Sequence, residues 1–124
     1  MSKKILIVED DTFIQELTGK KLEKAGYTVI MVQNGQDAIK AAEEEDLDLV
    51  ICDLVIPHVD GFEVITKLRG LEKSKNLPIV VFSNLADGDA LGKATAAGAT
   101  KFLIKANFSL SDVVNEVENL IGKA

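Results

Sequence analysis

One cysteine in 124 residues leaves no disulfide to be closed within the chain, and Cys52 falls inside an apolar run, where a thiol acts as a small core side chain in a reducing compartment. The one histidine, His58, has no second histidine to join and reads as an exposed loop residue or part of a docking surface. There is no run of about eighteen apolar residues and no charged-then-apolar leader, so neither a membrane span nor a secretory signal is visible and a cytoplasmic protein is expected. A net charge of −6 argues against a surface that neutralises nucleic-acid phosphates or anionic lipid. The expected partners are a protein or a cation, with no nucleic acid and no membrane. Repeats, low-complexity tracts and Pro/Gly/Ser-rich linkers are also lacking, so residues 1–124 read as one domain.

Short β-rich apolar runs alternate with longer segments of helical spacing: "KILIV" at 4–8, "TVIMV" at 28–32, "DLVIC" at 48–52, "PIVVF" at 78–82 and "KFLI" at 101–104. The last helix is marked by Leu110, Val113, Val114, Val117, Leu120 and Ile121 behind the cap-like Ser109. The first is marked by Ile14, Leu17, Leu22 and Ala25 on one side, with Gly26 as its stop. The stretch 87–97 offers mainly Ala90, Leu91, Ala94 and Ala97, so its helix should bury little. The acidic run "EEEDLD" at 43–48 reads as a solvated helix end. Strands apolar on both faces and separated by helices predict a doubly wound α/β fold, a parallel sheet covered on both sides with right-handed crossovers.

In open α/β sheets the ligand crevice lies outside the carboxyl ends of the strands. Strand one is followed by Glu9, Asp10 and Asp11, strand three by Asp53, strand four by Ser83 and Asn84, and strand five by Lys105; strand two contributes only Gln33 and Asn34. If strands one, three, four and five are neighbours, the crevice collects several carboxylates, a hydroxyl and an ammonium. Two carboxylates about 5 Å apart at an effective dielectric of about 20 repel by roughly 3 kcal/mol, so several together call for a cation. A hard divalent ion suits oxygen ligands, Mg²⁺ foremost and Mn²⁺ as an alternative. Asp11, ahead of "TFIQELT", reads as a helix cap.

This constellation resembles the receiver domain of two-component response regulators across essentially the whole chain. The strongest local match is Asp53-x-x-x-Pro57-x-x-Asp60-Gly61, joined to the acidic pair after strand one, the hydroxyl at strand four and the lysine after strand five. The resemblance implies a flavodoxin-like (βα)5 sheet of strand order 2-1-3-4-5. It makes Asp53 the phosphoacceptor, Asp10 a direct metal ligand, Glu9 a ligand through water and the Val55 backbone carbonyl a further contact. Ser83 takes the place of the hydroxyl that bonds the phosphoryl group, Lys105 that of the lysine paired with it, and Phe102 that of the aromatic switch. The implied donor is a histidine kinase or histidine phosphotransfer protein. The implied output is a downstream protein docking on the face of helix four, strand five and helix five. As a signalling phosphoacceptor with slow autophosphatase activity, such a module is not an enzyme in the usual sense.

Three positions depart from the family pattern. Ala106 stands where proline usually follows the lysine, so the Lys105 loop is expected to take its own course. Asn84 replaces the usual small residue, where it would crowd the entrance or bond the phosphoryl group. Phe102 lacks the hydroxyl of the commoner tyrosine. Two other readings stay open: a degenerate receiver that binds partners without phosphorylation, and an aspartate-nucleophile phosphatase, which needs a second acid where this chain has Val55. "GDALGK" at 88–93 is set aside as a phosphate loop, since its glycine spacing is one short and Ala94 replaces the needed hydroxyl.

Overall fold

A computed structural model describes residues 2–85 and 88–124. The β-branched runs form five strands, β1 (Lys4–Val8), β2 (Thr28–Val32), β3 (Leu49–Cys52), β4 (Ile79–Ser83) and β5 (Lys101–Ile104). Between and after them lie α1 (Thr12–Lys24), α2 (Gly35–Glu44), α3 (Gly61–Arg69), α4 (Ala90–Ala97) and α5 (Leu110–Ile121), with a 3-10 turn at Lys105–Asn107. All strand pairs are parallel, in the order β2-β1-β3-β4-β5. The predicted doubly wound, flavodoxin-like architecture is therefore the observed one.

Alternation along the strands divides the core. Leu6, Val8, Val50, Cys52, Ile79 and Val81 face one side and pack against Ala38, Ala42, Val64, Ile65, Leu68 and Ala94 of α2, α3 and α4. Ile5, Ile7, Leu49, Ile51, Val80, Phe82 and Leu103 face the other and pack against Leu22 of α1 and Val113 and Val117 of α5. A strand inaccessible from both sides is apolar except where a polar side chain finds a partner: β3 and β4 are buried throughout, and Ser83 at the end of β4 is their one polar residue.

Helix ends follow local chemistry. Asp11 accepts the Ile14 N–H at 3.1 Å and Asp60 accepts the Glu63 N–H at 2.9 Å, capping α1 and α3. Ser109 and Asp112 form a reciprocal capping box at the start of α5. Gly98 closes α4 at φ +118°, a conformation that side chains with a Cβ resist. As expected, α4 buries only alanines, Ala90 and Ala94; of the stretch 87–97 assigned to this helix, Asp87 lies outside the described residues. No helix among the described residues is long and apolar enough to cross a membrane.

Three expectations are corrected. In α1 the buried residues are Gln15, Thr18, Gly19 and Leu22, whereas Leu17 is exposed and Ile14 and Ala25 are half-buried. The helix lays its small side on β2, with Gly19 against Met31 and Val29, and Ile14 and Leu17 line an apolar cavity with Phe82, Phe108 and Leu110. β4 runs one residue later than "PIVVF": Pro78 has no N–H and offers only its carbonyl, to Val50 N–H at 3.0 Å, while Ser83 pairs with Ile104. Finally, the acids at 43–48 are more than solvated. Lys4 pairs with Glu45 at 2.9 Å and Lys73 with Asp46 at 3.0 Å, and Asp48 accepts the Lys4 N–H at 2.7 Å instead of opening β3.

Candidate functional site

The sheet delivers the acids by continuing its ladder past the strand ends. Asp53 N–H bonds the Val8 carbonyl at 3.0 Å, and Glu9 N–H bonds the Val32 carbonyl at 3.1 Å. Gln15, not singled out from the sequence, also donates to that Val32 carbonyl, at 2.7 Å, and ties α1 to the same corner. Gly61 is required here by close approach. A Cβ on it would stand 2.5 Å from both the Asp53 carbonyl oxygen and the Leu54 Cα, and its N–H bonds the Leu54 carbonyl at 3.0 Å.

The resulting cavity, about 340 Å³ and open to solvent, is lined by Glu9, Asp10, Asp53, Val55, Ser83 and Lys105, with Asp11, Ile14, Asn84 and Leu85 at its margin. Lys105 Nζ lies 2.5 Å from Glu9 Oε1 and 2.7 Å from Asp53 Oδ2. The same Nζ lies over the Phe82 ring, 5.9 Å from its centroid. The Ser83 hydroxyl donates to Asp53 Oδ1 at 2.6 Å and accepts the Leu85 N–H at 3.2 Å. Val55 N–H adds a contact to Asp53 Oδ1 at 3.2 Å. The hydroxyl that the resemblance places beside the phosphoryl group thus touches Asp53 itself.

Burial by itself pushes the Asp53 carboxyl up, but the Lys105 ammonium, the Ser83 hydroxyl and the Val55 N–H outweigh it and hold Asp53 below the ordinary carboxylate range. Glu9 goes the other way. Burial and the neighbouring Asp53 charge raise it, and Lys105 and the Asp11 N–H offset only part of that. Lys105, although burial lowers it, is raised by the two carboxylates and stays charged. One ammonium therefore serves two acids unequally: Asp53 is held down and Glu9 is pushed up.

Carboxylate oxygens of Glu9, Asp10 and Asp53 lie within 4.8 Å of one another. Glu9 and Asp53 are buried and Asp10 is exposed, which leaves one side of the group open. An all-oxygen donor set of this charge fits a small hard divalent cation and would not suit a soft one. Val55 lines the same cavity and is 61% exposed. Phe102 sits apart on β5, half-buried against the α3–α4 side of the core.

Two residues of doubtful effect in the sequence come together. Asn84 is exposed and lines the cavity, and its side-chain carbonyl accepts the Ala106 N–H at 3.0 Å. Residues Lys105–Asn107 form their 3-10 turn with a trans Lys105–Ala106 peptide, and the Lys105 side chain still reaches the acids. Cys52 is wholly buried, donates to the Asp53 carbonyl at 3.2 Å and is pushed far up in pKa by burial and the adjacent acids, in keeping with a packing role. His58 is exposed and adopts φ +69°.

Comparison with known proteins places the chain among relatives. A family model described as the response regulator receiver domain matches residues 5–118. The response regulator receiver protein CpdR of Brucella abortus (strain 2308) is 34% identical over 119 residues, covering 96% of this chain and 97% of that protein. Other curated relatives are longer, and the chain spans between 15% and 48% of their length. Chemotaxis protein CheY4 of Vibrio cholerae superposes with a TM-score of 0.91 at 26% identity, over 97% of this chain and 99% of that one. The receiver domain of sensor histidine kinase PA1611 from Pseudomonas aeruginosa PAO1, with a magnesium ion coordinated in its active site cleft, gives 0.89 at 27% identity, over 99% and 100%.

Proposed function

The chain belongs to the response regulator receiver domain family, whose members signal by phosphorylation, and from that membership we propose that it accepts a phosphoryl group on Asp53. The donor is a histidine kinase or histidine phosphotransfer protein of a two-component or phosphorelay system, and the signal leaves through the α4–β5–α5 face. The observation that carries this reading is the Asp53 carboxylate, held ionised between the Lys105 ammonium at 2.7 Å and the Ser83 hydroxyl at 2.6 Å.

An Asp53 oxygen attacks phosphorus in line, forming the P–O bond as the P–N bond to the donor imidazole breaks. The imidazole leaves with the bonding pair and takes a proton from solvent. Because phosphoryl transfer asks the protein mainly for positioning and charge relief, Lys105 and Ser83 have the work of holding the equatorial oxygens. Asp10, Asp53, the Val55 carbonyl and, through water, Glu9 would hold Mg²⁺, which when bound supplies further relief of the phosphoryl charge. Ser83 needs only to exchange acceptors, from the carboxylate to the phosphoryl oxygen. Its shift empties space beside β4 into which Phe102 turns, reshaping the output face. Turnover as a phosphatase would need an acid beside Asp53 for the leaving group, and Val55 offers only a backbone N–H there.

Intact mass after incubation with a small phosphodonor, with Mg²⁺ or with chelator, tests the reading. Wild type should gain one phosphoryl increment that needs metal and is absent in Asp53→Asn. No increment in folded wild type that binds Mg²⁺ overturns it in favour of a phosphorylation-independent interaction module.

A further inference from the structure

The hydroxyl and the ammonium that face Asp53 come from different loops. Ser83 ends β4, whereas Lys105 opens the 3-10 turn after β5. Lys105 has a long flexible stem, and at the end of its turn the Phe108 N–H meets the Lys105 carbonyl at a marginal 3.5 Å. Beyond the last pair of the β4–β5 ladder, Ser83 with Ile104, the two segments are joined at the cavity by the residue after the hydroxyl and the residue after the ammonium, through the 3.0 Å bond from Ala106 N–H to Asn84 Oδ1.

We propose that Asn84 is a positioning residue for phosphoryl transfer: by accepting the Ala106 N–H it fastens the turn that carries Lys105 to the strand end that carries Ser83. The two phosphoryl-facing groups are then set as one unit. A backbone N–H at position 106 is what makes the fastening available, and Asn84 is long enough to reach it while Ser83 Oγ stays on Asp53. Without the bond, the ammonium keeps its charge and its reach but has more arrangements to choose among. The expected loss is therefore in rate and not in charge. Displacement of Ser83 on phosphorylation would also be passed through Asn84 to the Lys105 turn.

The inference rests on Asp53 being the phosphoryl acceptor, and a cycle through Lys105 tests it. Asn84→Ala should slow metal-dependent phosphorylation by a small phosphodonor about fivefold, in proportion to one exposed hydrogen bond. In a Lys105→Ala background the same substitution should leave the residual rate unchanged, because Asn84 acts through the lysine. Ala106→Pro, which removes the donor, should match Asn84→Ala, and the double variant should lose no more than either. Equal loss in both backgrounds, additive losses, or no loss in wild type overturns the proposal. A second readout needs no phosphoryl group: Asn84→Ala should speed Ala106 amide exchange and weaken the NMR signal of the Lys105 ammonium. If wild type takes up no phosphoryl group, the functional reading fails, and these signals still decide whether Asn84 holds the Lys105 turn; their being unchanged overturns that too.

Discussion

Glu9 and Asp53 share one ammonium, and the sharing has a pH signature. Burial, joined by the Asp53 charge, raises Glu9 in the fold, so the folded state prefers its protonated form. The folded protein then binds more protons than the unfolded chain as pH rises through the ordinary carboxylate range, and stability falls across that window. A neutral amide escapes this cost. In chelator, Glu9→Gln should therefore melt above wild type at pH 7, with the gap closing as pH is lowered to about 4, where a glutamate is itself largely neutral. Thermal scans across that range check it, and a variant that melts below wild type at pH 7 defeats the assignment. That acids collect at one end of the sheet was legible from their places after β1 and β3. Which acid is pushed up and which held down was not, because it depends on which oxygens Lys105 and Ser83 reach. Nor was the partner of Asn84, which lies twenty-two positions away in sequence.

Among the elements, α1 misled the periodic reading and glycines explain why. A hydrophobic stripe predicts which side is buried only when the surface opposite has room for it. Here the opposing surface is β2, and Gly19 allows the close approach while Ile14 and Leu17 flank the apolar cavity near α5. A Cβ at Gly19 would meet Met31 Sδ at 2.8 Å, the far end of a flexible side chain that is 43% exposed and free to swing out. Gly19→Ala should thus gain most of the helical preference of alanine, a stabilisation of about 0.5–1 kcal/mol by denaturant unfolding. Gly61→Ala meets backbone at 2.5 Å that cannot yield, and should cost about 2 kcal/mol or more. It should also slow phosphorylation, since the atoms displaced belong to Asp53 and Leu54. Equal effects of the two substitutions would show that the backbone around Asp53 is softer than its packing implies. The caps at Asp11 and Ser109 were legible, being settled by side chains within one turn; the α1 contact was not, being settled by a strand across the layer.

Across the whole molecule the two faces of the sheet are held differently. On one, α5 seats Val113 and Val117 against Ile51, Val80 and Leu103. On the other, α4 fully buries only Ala90 and Ala94, with Ala97 half-buried, too little apolar surface to anchor a helix by burial alone. Strand alternation made the two-faced fold legible, and the poverty of α4 with it, but not what compensates. That is Arg69, at the end of α3, whose guanidinium donates to the Gly98 carbonyl at 2.7 and 3.0 Å, to Leu77 at 2.6 Å and to Ser74 at 3.1 Å. It binds the end of α4 and the α3–β4 connection to α3 mainly through carbonyls, with the Thr100 hydroxyl at 3.5 Å besides, a pattern invisible to any reading of side-chain spacing. Charge-assisted bonds of this kind contribute more than neutral ones, so Arg69→Ala should cost about 3 kcal/mol. For a domain of this size that is a fall in Tm of about 10 °C. Arg69→Lys should recover little, because one ammonium cannot reproduce the planar fork. Hydrogen exchange separates local from global loosening: amides of α4 and of residues 98–100 should lose protection in Arg69→Ala beyond the global change, while those of α1 and α5 follow it. Uniform loss over both faces would mean that α4 is held by something other than this clamp.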